Sequence, residues 1–295
     1  MSLAGFRRWS PRATAWLVLA ANAPDVDIVA AMFGKNLAWR RGLTHGAPAL
    51  IAWSLVLAAL FAWWERRRGG APDFRRLAVM AAAGVVSHSF LDYLNNYGLR
   101  WLMPVIDRWY YGDALFIVDP WLYLVFGIGV WAAARRWRRG GAEPARPAQA
   151  ALALAAIYIG VMLAGTLRGR TVVARALGGA ADAPGLMVAP VPIDPSSRAF
   201  VLDAGDRYRT GRVGLLTGRL VEGPAVLKGQ DLGPLLTRLR QSQEGAAFIH
   251  WSRLPVVVPV PARATVRVYD LRYTDGSGPS WAAIEVTDPG PGRSR

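Results

Sequence analysis

Five apolar stretches govern what this chain can fold into: residues 13–33, 47–64, 77–94, 115–131 and 148–167. Each is close to the roughly 20 residues a helix needs to cross the hydrocarbon core of a bilayer. The basic residues alternate between them. The connections 1–12, 65–76 and 135–147 carry thirteen Arg and Lys together, against five on 34–46 and 98–114. Runs such as Arg66-Arg67-Arg68 and Arg135-Arg136 abut apolar segments, the layout that keeps a loop in the cytoplasm. The expected fold is an α-helical integral membrane bundle of about five spans, with a cytoplasmic N-terminus and a C-terminal region in the periplasm.

Composition supports this and removes some alternatives. Hydrophobic residues make up 53% of the chain and charged ones 19%, which excludes a disordered chain. The formal charge of +15 falls in the flanks of the apolar stretches. No zinc-finger spacing or aromatic RNA-binding motif accompanies it, so nucleic acid is not an expected partner. The absence of cysteine excludes disulfides and thiolate metal sites. Arg7, Arg8 and Arg12 followed by Ala21-Asn22-Ala23 imitate a secretory signal with its cleavage site. Pro24 directly after the would-be cut argues against cleavage, and the segment is expected to stay.

Beyond residue 167 Pro, Gly and Asp become frequent and the apolar runs shorten. The chain therefore divides into a membrane bundle, 1–167, and a small, mostly β extramembrane domain, 168–295. Strands are expected at 264–273 and 281–287 around the turn Asp275-Gly276-Ser277-Gly278. A Pro-rich connector spans 190–195, and a short helix over 231–243 has Asp231 as its N-cap.

The informative acids lie inside or at the ends of the apolar stretches: Asp25, Asp27, Asp92, Asp113 and Asp119, with His45 and His88. A carboxylate at the centre of a membrane helix costs about 2.5–3.5 kcal/mol. Mutual protonation, arginine partners, a water-filled cavity or a metal ion can each compensate. On the alternating topology all seven fall towards the outer leaflet, which favours one shared site. His88 and Asp92, four apart, share a helix face one turn apart, as ligands of a divalent metal do. Asp25 and Asp27 are two apart and reach a common point only where the helix is broken, and Pro24 supplies a break. The alternative is a helix N-terminus whose acids complement the dipole. His45 ends Arg41-Gly42-Leu43-Thr44-His45, with Thr44 a possible cap for the second span. Asp113 and Asp119 sit in a Trp- and Tyr-rich loop, one suited to be a ligand or general base and the other an arginine partner. Arg40, Arg41, Arg100 and Arg108 lie on the face to pair with these acids. His250 reads as structural.

In order, Asn22-Ala23-Pro24-Asp25-Val26-Asp27, Arg41-Gly42-Leu43-Thr44-His45, His88-Ser89-Phe90-Leu91-Asp92-Tyr93-Leu94-Asn95, Tyr97-Gly98 and the stretch 107–120 resemble the bacterial membrane-bound metal-dependent hydrolases, the YdjM-like inner-membrane proteins. Pro190-Val191-Pro192 and Val268-Tyr269-Asp270 extend the likeness towards the C-terminus. The resemblance implies an inner-membrane bundle with a divalent-metal site, zinc above all, whose ligands are Asp25, Asp27, His45, His88 and Asp92. It also implies a hydrolase, through a distant similarity to zinc-dependent phospholipase C enzymes. Members usually carry a Thr-His pair on an earlier apolar helix, and Met1-Ser2-Leu3 lacks it. The expected activity is hydrolysis of a lipid-like phosphoester at the outer leaflet, with Asp113 or Asp119 accepting a proton. The competing expectation is a non-enzymatic membrane protein with arginine-paired acids and a periplasmic interaction domain. A transporter is the third expectation, weakened by the lack of repeated halves.

Overall fold

A computed structural model describes residues 1–33, 36–229, 232–260, 265–275 and 277–287. Helix α1 (Ala13–Asn22) stops where Pro24 removes a backbone donor and crowds the preceding turn. The chain continues as a 3-10 segment, Pro24–Phe33, whose part up to Ala30 is bent 47° from α1. A single turn, α2 (Asn36–Trp39), leads to α3 (Ala47–Arg67), which has Pro48 in its first turn, where a missing N–H costs nothing. Helix α4 (Phe74–Leu94) begins on Asp73, whose carboxylate accepts from the backbone N–H groups of Arg75 and Arg76. Helix α5 (Pro120–Arg138) begins on Asp119 in the same way. Helix α6 (Arg146–Leu177) ends on Gly178, whose left-handed φ of 75° favours glycine.

Among the described residues three helices, α3, α4 and α6, are long and apolar enough to cross a membrane, and α1 with its bent continuation makes a fourth if the pair is one broken span. The expected count of about five is not reached on these criteria. The fourth apolar stretch folds into α5 only from Pro120, and Arg135, Arg136 and Arg138 fill its last turn. Its apolar length is therefore shorter than the sequence run suggested. The outward faces of the helices are apolar: Ile51, Leu55, Ile157 and Val161 are all more than half exposed, as expected where lipid is the solvent. Inside, α1, α3 and α4 pack around Trp16, Phe61, Leu77 and Met80. Helices α5 and α6 form a second group, joined to the end of α4 through Leu94, Leu115, Leu122 and Met162.

At about 1.5 Å per residue α6 is longer than a bilayer core is thick. Its last turns bury Val173 and Ala174 against the first sheet of the C-terminal domain. That antiparallel sheet has the order β1 (Leu186–Pro190), β2 (Ser197–Asp203), β3 (Arg207–Gly214) and β4 (Leu220–Glu222), with β5 (Val226–Leu227) also on β3. The expected helix over 231–243 is instead two, α7 (Leu232–Leu239) and α8 (Gln243–Trp251), the second capped by Ser242. Asp231, the expected cap, lies outside the described residues. A second antiparallel sheet follows in the order β6 (Pro255–Val260), β7 (Thr265–Asp270) and β8 (Ala283–Thr287). The last two fall in the stretches expected as strands. In the turn between them Asp275 accepts from the Ser277 N–H, while Gly276 lies outside the described residues. The domain is a helical membrane part's small β companion, and it sits on the 95–113 loop through Trp109, Trp251, Tyr97 and Tyr111.

Candidate metal centre

The break after α1 carries Asp25 and Asp27 away from helical spacing, so that both reach His45 from different sides. His45 stands just before α3, fully buried, in a loop tied down by its backbone: His45 N–H donates to Gly42 O, and Arg41 N–H donates to Asp27 Oδ2 at 2.6 Å. Arg41 holds a left-handed φ of 50° to make that turn. His88 and Asp92, one turn apart on α4, face the same point.

Four side chains converge there. Asp25, His45, His88 and Asp92 each offer a ligand atom, all within 4.8 Å of one another. His45 Nε2 is 3.8 Å from Asp25 Oδ1 and 3.4 Å from Asp92 Oδ2, and His88 Nε2 is 3.7 and 3.4 Å from the same two oxygens. None of these four buried atoms has a hydrogen bond. Arg40 Nη1 lies 3.0 Å from Asp25 Oδ1 as an ion pair, out of hydrogen-bond alignment. Buried polar atoms are nearly always satisfied, so four orphans aimed at one another ask for a common partner. Donors bound at about 2.0–2.1 Å in tetrahedral geometry stand about 3.3 Å apart, close to the 3.4–3.8 Å observed. Two imidazole nitrogens and two carboxylate oxygens suit a divalent ion such as zinc.

Asp27 lies outside this group of four. It faces the other ring nitrogen, His45 Nδ1, at 3.4 Å, and Thr44 Oγ1 reaches both Asp27 Oδ2 (3.3 Å) and Nδ1 (3.0 Å). An acceptor at Nδ1 favours the tautomer that leaves Nε2 a free lone pair, the usual arrangement behind a metal-bound histidine. Thr44 thus acts on the histidine rather than as the cap of α3.

The surrounding guanidinium groups also have partners, although Arg41 Nε and Arg100 Nε make no hydrogen bond. Arg40 pairs with Asp25 and Asp27; Arg41 Nη2 lies 2.7 Å from Asp92 Oδ1. Arg41 also donates to Asn95 Oδ1 and Gly98 O and lies over the Tyr97 ring. Asn95 was not singled out as a functional residue, although its side chain steadies both Arg41 and the N–H groups of Tyr97 and Gly98. Arg100 pairs with Asp107, and Arg108 lies over Tyr110. Burial works to raise the Asp107 carboxyl, but Arg100 and His250 beside it hold it below the usual carboxylate range. His250 thereby links α8 to the loop.

Asp113 and Asp119 take up other partners. Both Asp113 oxygens accept from Arg253 Nη1 at 2.9 and 3.0 Å, across the contact with the β domain. Asp119 Oδ1 caps α5, and Oδ2 accepts from the Tyr158 hydroxyl at 3.0 Å. Asp119 nevertheless lines, with Asp92 and Arg41, a cavity of about 260 Å³ between α4 and α5.

These features define a helical membrane protein with a buried His/Asp cluster able to hold a metal ion. The chain belongs to the YdjM inner membrane protein family, whose model matches residues 2–169. It is also similar to the "Uncharacterized protein YfhP" of Bacillus subtilis (strain 168), 29% identical over 117 residues. That match covers 38% of this chain and 35% of the relative, so the chain matches about a third of that protein's length. No solved structure matches the chain.

Proposed function

We propose that this protein is a metal-dependent hydrolase of a phosphoester at the outer leaflet of the inner membrane, with its N-terminus in the cytoplasm and its β domain in the periplasm. One observation carries the reading: two imidazole nitrogens and two carboxylate oxygens meet in a buried place with no other hydrogen-bond partner. Asp25, His45, His88 and Asp92 would hold the ion, with zinc the best fit, and Asp27 orients His45 behind them. Such an ion supplies Lewis acidity and lowers the pKa of bound water. The chain's own residues do the rest. Asp25, Asp27 and Asp92 face two guanidinium groups, Arg40 and Arg41. The cluster alone therefore carries one excess negative charge with neutral histidines, and a divalent ion turns that excess positive, which suits an anionic ester. Arg41 borders the adjoining cavity and is placed to orient a phosphoryl oxygen. Asp119, on the same cavity wall, accepts the proton, while Asp113 anchors the β domain through Arg253.

Metal analysis of the detergent-purified protein tests this, comparing wild type with the double variant His45→Ala plus His88→Ala. One ion per chain in the wild type, lost in the double variant together with hydrolysis of phosphatidylglycerol in vesicles, is expected. A metal-replete wild type without stoichiometric metal defeats the reading.

The ion pairs favour a second reading, a non-enzymatic protein whose acids are arginine-paired. It requires the exchanged pair Asp92→Arg with Arg41→Asp to restore folding and to be indifferent to chelators.

A further inference from the structure

The two helix groups, α1/α3/α4 and α5/α6, join at the metal-cluster end through Leu94 and Leu115 and at the opposite end through the 3-10 turn Ser2–Ala4, which packs on α1, α5 and α6, and leave space between those two junctions. Two cavities occupy that space. The first, about 260 Å³, has Asp92, Arg41 and Asn95 at its polar end and Leu91, Leu122 and Phe126 along its walls. The second, about 420 Å³, lies between α1 and α5/α6, with Val18, Phe126, Val130 and Leu152 among its walls and Arg7 at the far end. Phe126 borders both. The second wall is mainly apolar, with Thr14 and Asn22 among its polar members, and Val18 and Val130 are more than half exposed.

We propose that this crevice holds the hydrocarbon chain of a membrane lipid whose anionic phosphoester headgroup lies at Asp92 and Arg41; the headgroup placement rests on the hydrolase reading above. Three features select a lipid over a water-soluble ester. The polar end of the first cavity is lined by Asp92, one of the four cluster residues, with its ion-pair partner Arg41, so a headgroup there lies beside the cluster while its tail follows the apolar walls. The walls beyond Leu91 are dominated by apolar side chains such as Leu122, Phe126, Val130 and Leu152, which offer a hydrocarbon chain more contact than they offer a soluble substrate. Charge also matches, since a loaded cluster with Arg41 beside it complements an anion, and Arg7 at the other end keeps the apolar section bounded. The substrate reaches the site sideways from the bilayer, past Phe126, without its tail crossing water. The class is thus a long-chain lipid phosphoester.

The test reconstitutes the full chain in phosphatidylethanolamine/phosphatidylglycerol vesicles containing phosphatidic acid with a photoactivatable diazirine in its acyl chain, followed by mass-spectrometric mapping. Labelling is expected to concentrate on Phe126, Val18 and Val130 relative to Ile51 and Val56, lipid-facing residues of α3. Filling the crevice by Val18→Trp or Val130→Trp is expected to abolish that concentration while bound metal is unchanged. Even labelling over crevice and outer face, in protein that holds its metal, overturns the crevice and leaves the hydrolase reading standing. Concentrated labelling in wild-type protein that binds no metal overturns the hydrolase reading and the headgroup placement with it. The wild-type labelling ratio decides the matter even if a Trp variant does not fold.

Discussion

Asp270 in the β domain and Asp92 in the membrane part are both acids taken out of water, and the rest of their surroundings differ. Asp270 and Arg272 are fully buried and fully used. Oδ1 of Asp270 accepts from Arg272 N and Nε, and Oδ2 from Ser252 Oγ, Arg253 N and Arg272 Nη2, all within 3.0 Å. Arg272 in turn donates to Asn96 O and Trp251 O and lies over the Trp251 ring. Asp92 has one oxygen on Arg41 and the other facing two histidine nitrogens without a hydrogen bond. A buried acid with every lone pair engaged holds a structure together; one whose oxygen converges with other orphaned donors is incomplete without a further partner. Asp270 therefore reads as a clamp between β7, the start of β6 and the 95–113 loop, and Asp92 as a ligand.

The largest effect should come from breaking the clamp. Asp270→Ala strands a buried guanidinium and is expected to destabilise the β domain by about 3–5 kcal/mol, seen as accelerated limited proteolysis of the domain. The pH dependence has a definite sign. Burial works to raise the Asp270 carboxyl, but Arg272 overrides it and holds it below the usual range. A depressed folded pKa contributes stability that is present above the unfolded value of about 3.9 and is lost as pH falls through the folded value. Proteolytic resistance should therefore be flat between neutral pH and about 5 with respect to this group and weaken only under strong acid, and Asp270→Asn should remove that acid-side slope. An Asp270→Ala protein as resistant as wild type would erase the contrast with Asp92.

The metal cluster should behave in the opposite way. His88→Leu removes an imidazole whose Nε2 makes no hydrogen bond, so in chelator the variant should melt no lower than wild type. Adding zinc at about 100 times its Kd should stabilise wild type by about 2.7 kcal/mol and leave His88→Leu unmoved, read as a thermal shift in detergent. A chelated variant that melts far below wild type would make His88 a structural residue like Asp270.

A subtler change sharpens the distinction between ligand and support. Asp27→Asn keeps the shape but weakens the acceptor at His45 Nδ1, and loss of such a partner typically costs about 10–100-fold in metal affinity. Competition against a chromogenic zinc chelator measures it. Unaltered affinity would detach Asp27 from the centre, while complete loss would make it a direct ligand.

How much of this was legible in the sequence follows from how local each contact is. The His88/Asp92 face is fixed by helical spacing, and the break at Pro24 by the chemistry of proline, so both could be read directly. His45 was grouped with the acids by the alternating topology, which puts it at the same end of the bundle, although nothing in a loop motif says which way an imidazole points. The partners of Asp113 and Asp270 were out of reach for different reasons. Arg253 is 140 residues from Asp113 and left no periodic signal. Arg272 is only two residues from Asp270, but its role depends on the docking of the 95–113 loop. The fourth apolar stretch does not meet the length and composition of a span because a hydropathy run does not show where a helix starts; Asp119-Pro120 fixes the start of α5, and with it Asp119 becomes a cap. The whole first sheet, β1 to β5, and β6 went unanticipated; in β3, Gly211 and the arginines hide the alternation.

The smallest effect belongs to a third kind of acid, satisfied but wet. Glu222 on β4 takes a two-pronged contact from Arg209 on β3, at 2.8 and 3.0 Å, a geometry as good as that of Asp270 with Arg272. Both side chains are substantially exposed, so water replaces either partner when one is removed, and exposed pairs of this kind contribute little. Glu222→Gln should therefore leave proteolytic resistance of the β domain unchanged under the conditions in which Asp270→Ala abolishes it. If the two substitutions were equally damaging, hydrogen-bond geometry alone would set the worth of a carboxylate here. The case for a ligand at Asp92 rests on the opposite premise, that what matters is whether a group has any alternative partner once water is gone.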